Sequence, residues 1–417
     1  MKVSSNTHAV NDKLTQLQQT ELNTLFSEFA DIFQDTPGKT NMCKHQITLV
    51  PGFKPVASTP YRLHPERATL VEQEIDQMLK MGIITRSDSP WASPIVVVPK
   101  TDGSIRLCVD YRKVNSMSVP DPFPLPRVED LVDKVGQAKY LTKIDMTRGY
   151  WQVPLDELLV PISAFVTPTW HFQWQYMPFG LRNAPATFSR LVSRLLKRLE
   201  YCSVAYLDDI IIFSNSWEEH LKYIKLVFNR IREAGLTLNK NKCVFATGEV
   251  DYLGHHVGLG KVEPLQKKVD ALLNFPRPIT RKQLQSFLGL ANYYRKFVPH
   301  FASLSVVLSD LLKKGVKFEW SKEGEQAFLD IKSRLASRPI LVPPDFTKSF
   351  SILVAIEAAL VQEVNGLEHP ICYLSRKLNK HQRNYAVNEK EALALLTDVR
   401  TFSVYFGSTP AKSLYRS

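Results

Sequence analysis

The stretch SVAYLDDIIIFS, Ser203 to Ser214, sets two adjacent carboxylates inside an apolar, strand-like run. Carboxylates removed from water need a partner, or their pKa rises and they neutralise. One continuous buried strand would bury both Asp208 and Asp209. A hairpin with the acidic pair at its tip keeps the flanks in a core and the carboxylates near solvent, so apolar residues on both sides predict a hairpin. An isolated Asp-Asp pair is ordinarily just a polar turn. Two features set this one apart: the preceding Tyr206, and Asp145 at the end of a second short strand, YLTKIDM, Tyr140 to Met146. If that strand lies beside the hairpin, three carboxylates converge. Clustered carboxylates repel unless cations lie between them, and Mg²⁺ takes a few carboxylates together with substrate phosphates. Two such ions, about 3.5–4 Å apart, suit in-line displacement at phosphorus.

The rest of the chain alternates helices and short strands. Leu22, Leu25, Phe26, Phe29, Ile32 and Phe33 recur at helical spacing, predicting a helix over 14–33 that stops at TPG. A second helix is expected from Pro65 to Met81, with proline in its first turn and Gly82 just past its end. SPIVVVPK and SIRLCVDYR, joined by TDG, read as a strand hairpin. VPDPFPLP, Val119 to Pro126, excludes helix and central strand and leaves a connector or an extended surface. APATFSRLVSRLLKRLE predicts a helix with Phe188, Leu191, Leu195 and Leu199 inward, and another helix is expected from Trp217 to Ala234. RKQLQSFLGLANYYRKFVPHF reads as one basic, aromatic helical segment. KFEWSKEGEQAFLDIKSRL reads as a helix preceded by a short strand, SRPILVPPDF as a linker, and Phe350 as the start of a smaller strand-and-helix unit.

The length, 417 residues, suggests two or three domains. Hydrophobic residues make up 44%, enough for a packed core, which excludes disorder as the default. Lysine and arginine number 53 against 41 acidic residues, and the net charge of +12 favours a polyanionic partner such as nucleic acid. The five scattered cysteines form no C-x-x-C pair, which argues against a zinc site or a disulfide framework. No apolar run reaches the roughly 18 residues of a transmembrane helix, and MKVSSNTHAV lacks the apolar core of a signal peptide. An intracellular protein without a membrane partner is expected.

YLDDIIIFS resembles the Y-x-D-D box of reverse transcriptases. SPWASPIVVVPKTDGSIRLCVDYRKVN, YLTKIDMTRGYWQVPL, AFVTP and MPFGLRNAPATF resemble the fingers and palm blocks of the same enzymes. YLGHHVGLGKVEP and LQSFLGLANYYRKFVPHFA are similar to the primer-grip and thumb regions of Gypsy-type long-terminal-repeat retrotransposon Pol polyproteins. The resemblance runs from about Leu22 to Gly407. It implies an α+β, right-hand polymerase of fingers, palm and thumb, followed by a partial ribonuclease H-like α/β unit. The implied divisions are an N-terminal helix and lead-in over 1–60, fingers and palm over 61–258, a thumb-like region over 259–320, and a truncated ribonuclease H-like domain over 321–417.

Residue by residue, the resemblance places Asp145, Asp208 and Asp209 on the metal-binding catalytic carboxylates, with two Mg²⁺ ions that Mn²⁺ can replace. Lys100 and Arg106 fall on fingers residues that grip the incoming triphosphate. Arginine offers phosphate a bidentate fork and lysine a point charge. Tyr150 falls on the aromatic gate against a ribose 2′-OH, and Phe179 and Gly180 fall beside the nucleotide pocket. Tyr206, Gly254, Gly289 and Tyr293 fall on primer and template contacts, and at Gly254 a close backbone approach to DNA is the implied reason for glycine. The implied partners are an RNA template, a DNA primer or RNA–DNA hybrid, and deoxynucleoside triphosphates. The implied reaction is RNA-directed DNA synthesis. The reading from a different class is a catalytically weak nucleic-acid-binding scaffold that keeps the fold.

The pattern breaks in the C-terminal unit. HPICYLSRKLNKHQRNYAVNEKEALALL matches well, and Glu391 falls on the helix carboxylate of the ribonuclease H domain. FSILVAIEAALVQ, however, runs straight from the first strand to the second, without the Asp-Ala-Ser metal site, and Glu357 falls on a glycine. The chain stops at FGSTPAKSLYRS, before the next catalytic Asp. The expectation is an inactive remnant whose AALV face packs on Ala392, Leu393 and Leu396. Thr169 and Trp170 stand where an Asp-Gly turn is usual, and Leu158, Leu159, Val160 and Pro161 where polar residues are usual.

Overall fold

Capping and apolar spacing set the first helix. Thr15 accepts from the Gln18 backbone N–H and the Gln18 side chain reaches back to the Thr15 backbone, a capping box that starts Gln16–Glu28. Its buried face is Leu22, Leu25 and Phe26, and a short 3₁₀ turn, Ala30–Ile32, replaces the last turn expected from the periodicity. The structure is a computed structural model. It describes residues 9–10, 14–99, 105–337, 340–354, 358–376, 378, 381–406 and 412–415. Lys100, Glu357 and the TDG turn lie outside the described residues, as does the Glu391 side chain.

The chain divides into two compact units, one of residues up to Arg127 together with Tyr140–Thr247, the other of Val128–Lys139 together with the residues from Gly248 onward. The first unit carries two five-stranded sheets. One has the order Ala9–Val10, Val244–Thr247, Tyr140–Asp145, Asp209–Ser214, Ser203–Tyr206. The other runs Ile84–Arg86, His171–Trp174, Phe165–Val166, Ser93–Pro99, Ile105–Val109. The expected hairpin strands are both present in these sheets.

The helix Trp217–Glu233 locks onto the first sheet through a buried histidine. His220 is within hydrogen-bond distance of Thr142 Oγ1 (2.8 Å) and Ser214 Oγ (3.0 Å), and burial pushes its pKa down to about 3, so it stays neutral. Phe26, Phe29 and Phe33 pack edge-on against Phe228 and Phe245, joining the N-terminal helix to the same core. The helix Ala184–Leu195 buries Phe188, Leu191 and Leu195, with Leu199 buried just beyond it, as the spacing predicts. The proline-rich passage is held by polar pins: Asn183 Nδ2 donates to Val119 O (2.7 Å), and Asn183 Oδ1 accepts from the Asp121 N–H (3.0 Å).

In the second unit, Glu249–Tyr252, His255–Gly258 and Lys261–Pro264 form an antiparallel three-stranded sheet. Helices Gln266–Leu273, Arg281–Tyr293, Phe301–Asp310 and Lys322–Ala336 follow, with Phe287 against Phe328 at 4.6 Å between ring centroids. The segment read as one continuous helix is broken: Arg281–Tyr293 ends, Arg295–Phe297 is a 3₁₀ turn, and His300 takes a left-handed φ of 61° before the next helix. No strand precedes Lys322; residues 316–320 are irregular. Part of the expected linker is packed, since buried Leu341 exchanges backbone hydrogen bonds with Val262. The last sheet has the order Leu367–Leu374, Ala358–Val364, Ser351–Val354, Lys412–Tyr415, covered by the helix Val387–Phe406. Its buried apolar cluster includes Phe350, Ile352, Ala358, Leu360, Ile371 and Phe402, with Leu395 against it. That corrects the expected helix face: Leu396 is exposed, and the inward stripe is Leu395, Asp398 and Phe402.

Candidate functional site

Strand register builds the acidic cluster. Tyr140–Asp145 and Asp209–Ser214 pair antiparallel, and the terminal residues Asp145 and Asp209 stand directly opposite one another. Cross-strand partners place their Cβ atoms about 4.5–5.5 Å apart, where like charges destabilise. Tyr206 pairs with Asp209, so Leu207 and Asp208 form the two-residue hairpin turn, with Leu207 at φ 55°. The hairpin with the acidic pair at its tip is therefore as the apolar flanks predict.

Two lysines offset the repulsion. Lys143 lies two residues before Asp145, hence on the same face of its strand. Its Nζ is 3.0 Å from Asp209 Oδ1, while Lys242 Nζ is 3.9 Å from Asp145 Oδ1. Burial, with help from Asp208 and Asp209, still holds Asp145 above the ordinary carboxylate range against the pull of Lys242. Burial likewise raises Asp208, with Asp209 adding to it. The strand end is fixed from behind: Asp145 N–H donates to Cys243 Sγ (3.3 Å), and Asp145 O accepts from the Asn239 N–H (3.0 Å). Burial pushes the Cys243 thiol up to about 12, so it serves as a neutral support.

The loop after Asp145 is shaped by Gln152, a residue that the sequence reading did not single out. It is fully buried, donates to Thr147 O and Thr237 O, and accepts from the Thr237 N–H at 2.8 Å. A glutamine inside the apolar run GYWQV was its only signal. This loop presents Tyr150, whose ring stacks on Phe179 (4.8 Å, 21°) and touches Phe188 (5.2 Å). Burial, then the charge of Asp208, push the Tyr150 hydroxyl up to about 12, which places this ring beside the acidic cluster. Phe179 is 48% exposed and Gly180 has φ 96°, a conformation that favours glycine. Asn115, also not singled out, holds that turn by donating to Gly180 O and accepting from the Arg182 N–H, both at 2.8 Å.

Tyr150 and Phe179 thus gather with Asp145, Asp208 and Asp209, and Tyr206 is half-buried beside the turn. Arg106 is exposed on the other sheet, opposite Val98, with no ion pair to the carboxylates among the described residues. In the second unit, Leu253 and Gly254 turn between two strands with φ of 46° and 75°. Tyr293 Oη donates to Leu253 O (2.6 Å) and Tyr294 Oη to Gly254 O (2.7 Å). A Cβ at Gly254 would lie 3.1 Å from Tyr294 Oη and 3.2 Å from Tyr293 Cε1, so the two tyrosines occupy the space that glycine leaves. Gly289 faces open space on its helix.

Hard oxygen donors at strand ends, two of them held above their ordinary pKa, suit a divalent cation in kind. Among the described residues no three such side chains stand close enough to hold an ion; Lys143 and Lys242 lie against Asp209 and Asp145.

Residues 98–257 match the family described as reverse transcriptase (RNA-dependent DNA polymerase), and residues 320–412 match the RNase H-like domain found in reverse transcriptase. The chain is 39% identical over 410 residues to the retrovirus-related Pol polyprotein from transposon 297 of Drosophila melanogaster, covering 94% of this chain and 38% of that protein. It is 33% identical over 424 residues to the transposon Tf2-3 polyprotein of Schizosaccharomyces pombe, covering 98% of this chain and 32% of that protein. The chain therefore spans about a third of the length of these relatives. Among solved structures, a foamy viral protease-reverse transcriptase in complex with double-stranded DNA superposes with a TM-score of 0.87 at 25% identity, over 97% of this chain and 72% of that one. The same viral protein with an RNA/DNA hybrid gives 0.82 at 24% identity, over 97% and 56%. The chain thus carries a reverse transcriptase domain with the fingers, palm and thumb fold, followed by an RNase H-like domain, and is homologous to the Pol polyproteins of Gypsy-type retrotransposons.

Proposed function

We propose that the chain is an RNA-directed DNA polymerase that extends a primer 3′ end on an RNA template. The observation that carries this reading is the register that sets Asp145 opposite Asp209, with Asp208 in the adjoining turn. The primer 3′-oxygen forms a bond to the α-phosphorus of a deoxynucleoside triphosphate, and the bond from that phosphorus to the bridging oxygen of pyrophosphate breaks. Asp145, Asp208 and Asp209 would hold two divalent ions, Mg²⁺ or Mn²⁺, which when bound activate the hydroxyl and offset the charge of the leaving group.

The protein's own groups do the rest. The Lys143 and Lys242 ammonium groups stand in for that positive charge until substrate arrives. Arg106, with Lys100, grips the triphosphate from the fingers hairpin, and the Tyr150 ring, braced on Phe179 and Phe188, blocks a ribose 2′-OH. The Leu253–Gly254 turn, clamped by Tyr293 and Tyr294, presents its backbone to the primer, and Gly289 leaves the thumb helix open to duplex. The ribonuclease H-like part does not cleave in this reading, because FSILVAIEAALVQ lacks the Asp-Ala-Ser carboxylate that would share two ions with Glu391.

Extension of a labelled primer on an RNA template with Mg²⁺ tests the reading. Product is expected, and Asp208→Asn should abolish it while duplex binding persists, since phosphate contacts dominate affinity. Binding without extension in either Mg²⁺ or Mn²⁺ overturns it in favour of the scaffold reading. Mg²⁺-dependent cleavage of a hybrid, lost on Glu391→Gln but kept on Asp208→Asn, overturns the inactive C-terminal part.

A further inference from the structure

A polar cavity of about 390 Å³ lies in the first unit, lined by one face of the Ala184–Leu195 helix, by residues 43–48 and by the start of the proline-rich passage. None of the residues assigned above to polymerase chemistry lines it. Its two walls are regular. In the extended wall, Lys44, Gln46 and Thr48 are exposed, while the alternate residues His45 and Ile47 are buried. In the helical wall, Arg190 and Arg194 lie one turn apart on the same side.

The charge in the cavity is unbalanced. Lys44, Arg190 and Arg194 face a single carboxylate, Asp121. Asp121 is committed to Arg190, whose Nη2 lies 2.8 Å from both of its oxygens, and the same guanidinium sits over the Phe123 ring at 4.7 Å. Arg190 is therefore fixed in place. Arg194 has no ion-pair or hydrogen-bond partner for its guanidinium among the described residues, and Lys44 has only Glu157 at 3.2 Å, an exposed pair that solvent screens. The side chains of Gln46 and Thr48 likewise show no hydrogen bond among the described residues. Both guanidiniums reach the Cys43 thiol electrostatically, so the positive field extends through the cavity.

We propose that this groove is a second nucleic-acid site, binding the phosphodiester backbone of a strand through Arg194, Lys44, Gln46 and Thr48. Phosphate is the shared chemistry of a polynucleotide and of a free nucleotide or pyrophosphate, and the repeat of the walls selects the polynucleotide. Alternate residues of an extended chain recur about every 6.6 Å, and helix positions four apart recur about every 6 Å along the axis. Successive phosphates of a nucleic-acid strand repeat on that same scale, whereas a mononucleotide would engage one end of the groove. The inference goes beyond the polymerase reading and needs only that a strand binds.

The test uses the full chain, a fluorescent single-stranded oligonucleotide and a salt series. Each phosphate contact to a single strand contributes a slope of about 0.7 in log affinity against log salt. The double variant Arg194→Ala with Lys44→Ala should therefore flatten the slope by about 1.4, while Arg190 is left to anchor Asp121. Local occupancy is read separately, from the rate of Cys43 alkylation followed by mass spectrometry. The oligonucleotide should slow alkylation of Cys43 in the parent and in Asp208→Asn, but not in the double variant. An unchanged slope, or no protection of Cys43 while the oligonucleotide is bound, overturns the proposal and leaves the polymerase reading intact. Protection by pyrophosphate or a nucleoside triphosphate, with none by the oligonucleotide, overturns the strand as ligand. Loss of primer extension with Cys43 still protected counts against the polymerase reading alone.

Discussion

At the strand ends that carry Asp145 and Asp209, each carboxylate faces a lysine, Lys242 at 3.9 Å and Lys143 at 3.0 Å, and stays partly open to water. On the last helix of the second unit, Asp398 is 5% exposed, faces an apolar cluster around Leu360 and Phe402, and its Oδ2 finds no hydrogen-bond partner among the described residues. Burial alone pushes the Asp398 carboxyl up to about 6. Both sites hold buried acid, yet among the described residues only one arranges positive charge around it. Acid that is clustered, offset and placed at an edge is acid available to a ligand. Acid that is single, unmatched and turned inward acts only on stability.

The largest effect should come from the matched site. Asp209→Asn or Asp145→Asn should reduce primer extension by several orders of magnitude, because the phosphoryl-transfer step depends on the ions those groups hold. Their melting temperatures should stay level or rise, since the changes relieve crowding among like charges. A variant that loses activity through unfolding would break the comparison, and parallel extension and thermal-unfolding measurements check it.

The unmatched site should respond in the opposite sense. The Asp398 carboxyl titrates near 6 in the folded protein and near 3.9 when unfolded. Between those values the unfolded chain binds fewer protons, so stability falls as pH rises through the window and then levels off above about 6. The loss at neutral pH is about 3 kcal/mol. Burial also raises Asp133 to about 6, and it titrates in the same window in the same unit. Comparing the parent with Asp398→Asn isolates the Asp398 share: denaturant unfolding at pH 4.5 and pH 7.5 should show a smaller pH dependence in the variant. An identical dependence would mean that Asp398 is solvated after all. Asp398→Leu, branched at the same atom though larger, should be stabilised further at neutral pH.

The sequence revealed the matched site well because its signals are local. Apolar runs on both sides of Asp208 and Asp209 predict the hairpin, and Asp145 ends its strand as YLTKID suggests. The supports were hidden because they come from far along the chain: Cys243 and Asn239 reach Asp145 across nearly a hundred residues, and Asn115 reaches Gly180 across 65. Around the unmatched site the sequence points to the wrong helix face, because helical spacing gives two plausible faces for EALALLTDV and the apolar residues Leu393 and Leu396 favour the outer one. Burial of Asp398 is a cost that pattern reading counts against the true face. The break after Tyr293 was hidden for a similar reason, since the aromatic and basic residues on either side continue a helical pattern.

A smaller effect is expected next to the matched acids. Tyr150 rests on Phe179 and Phe188, so Tyr150→Ala opens space near Asp208 without touching a carboxylate. Discrimination against ribonucleotides should fall by about 10- to 100-fold, the range for one steric contact in a pocket. Competing ribo- and deoxynucleotide incorporation measures it. Unchanged discrimination would make Tyr150 a core aromatic and narrow the matched site to its three carboxylates.

The smallest effect tests whether a partnered polar group in the second unit behaves unlike Asp398. Tyr294 is buried, and its hydroxyl donates to Gly254 O at 2.7 Å while Tyr293 donates to Leu253 O at 2.6 Å. Two consecutive carbonyls of a left-handed turn are thereby fixed from one helix end. Tyr294→Phe keeps the ring and removes one of the two donors to Gly254 O, which still accepts from the Leu265 N–H (3.0 Å), at a cost of about 1 kcal/mol at most. The turn, freed on one side, should hold a primer less firmly. KM for primer–template should therefore rise a few-fold, with kcat nearly unchanged, because the interaction serves binding and not the chemical step. Tyr293→Phe should do about as much, as His255 Nδ1 also donates to Leu253 O at 2.9 Å and that carbonyl likewise keeps a second donor. An unchanged KM in both variants would show that the hydroxyls pack rather than clamp. A fall in kcat would place the turn in the chemistry of the carboxylates instead.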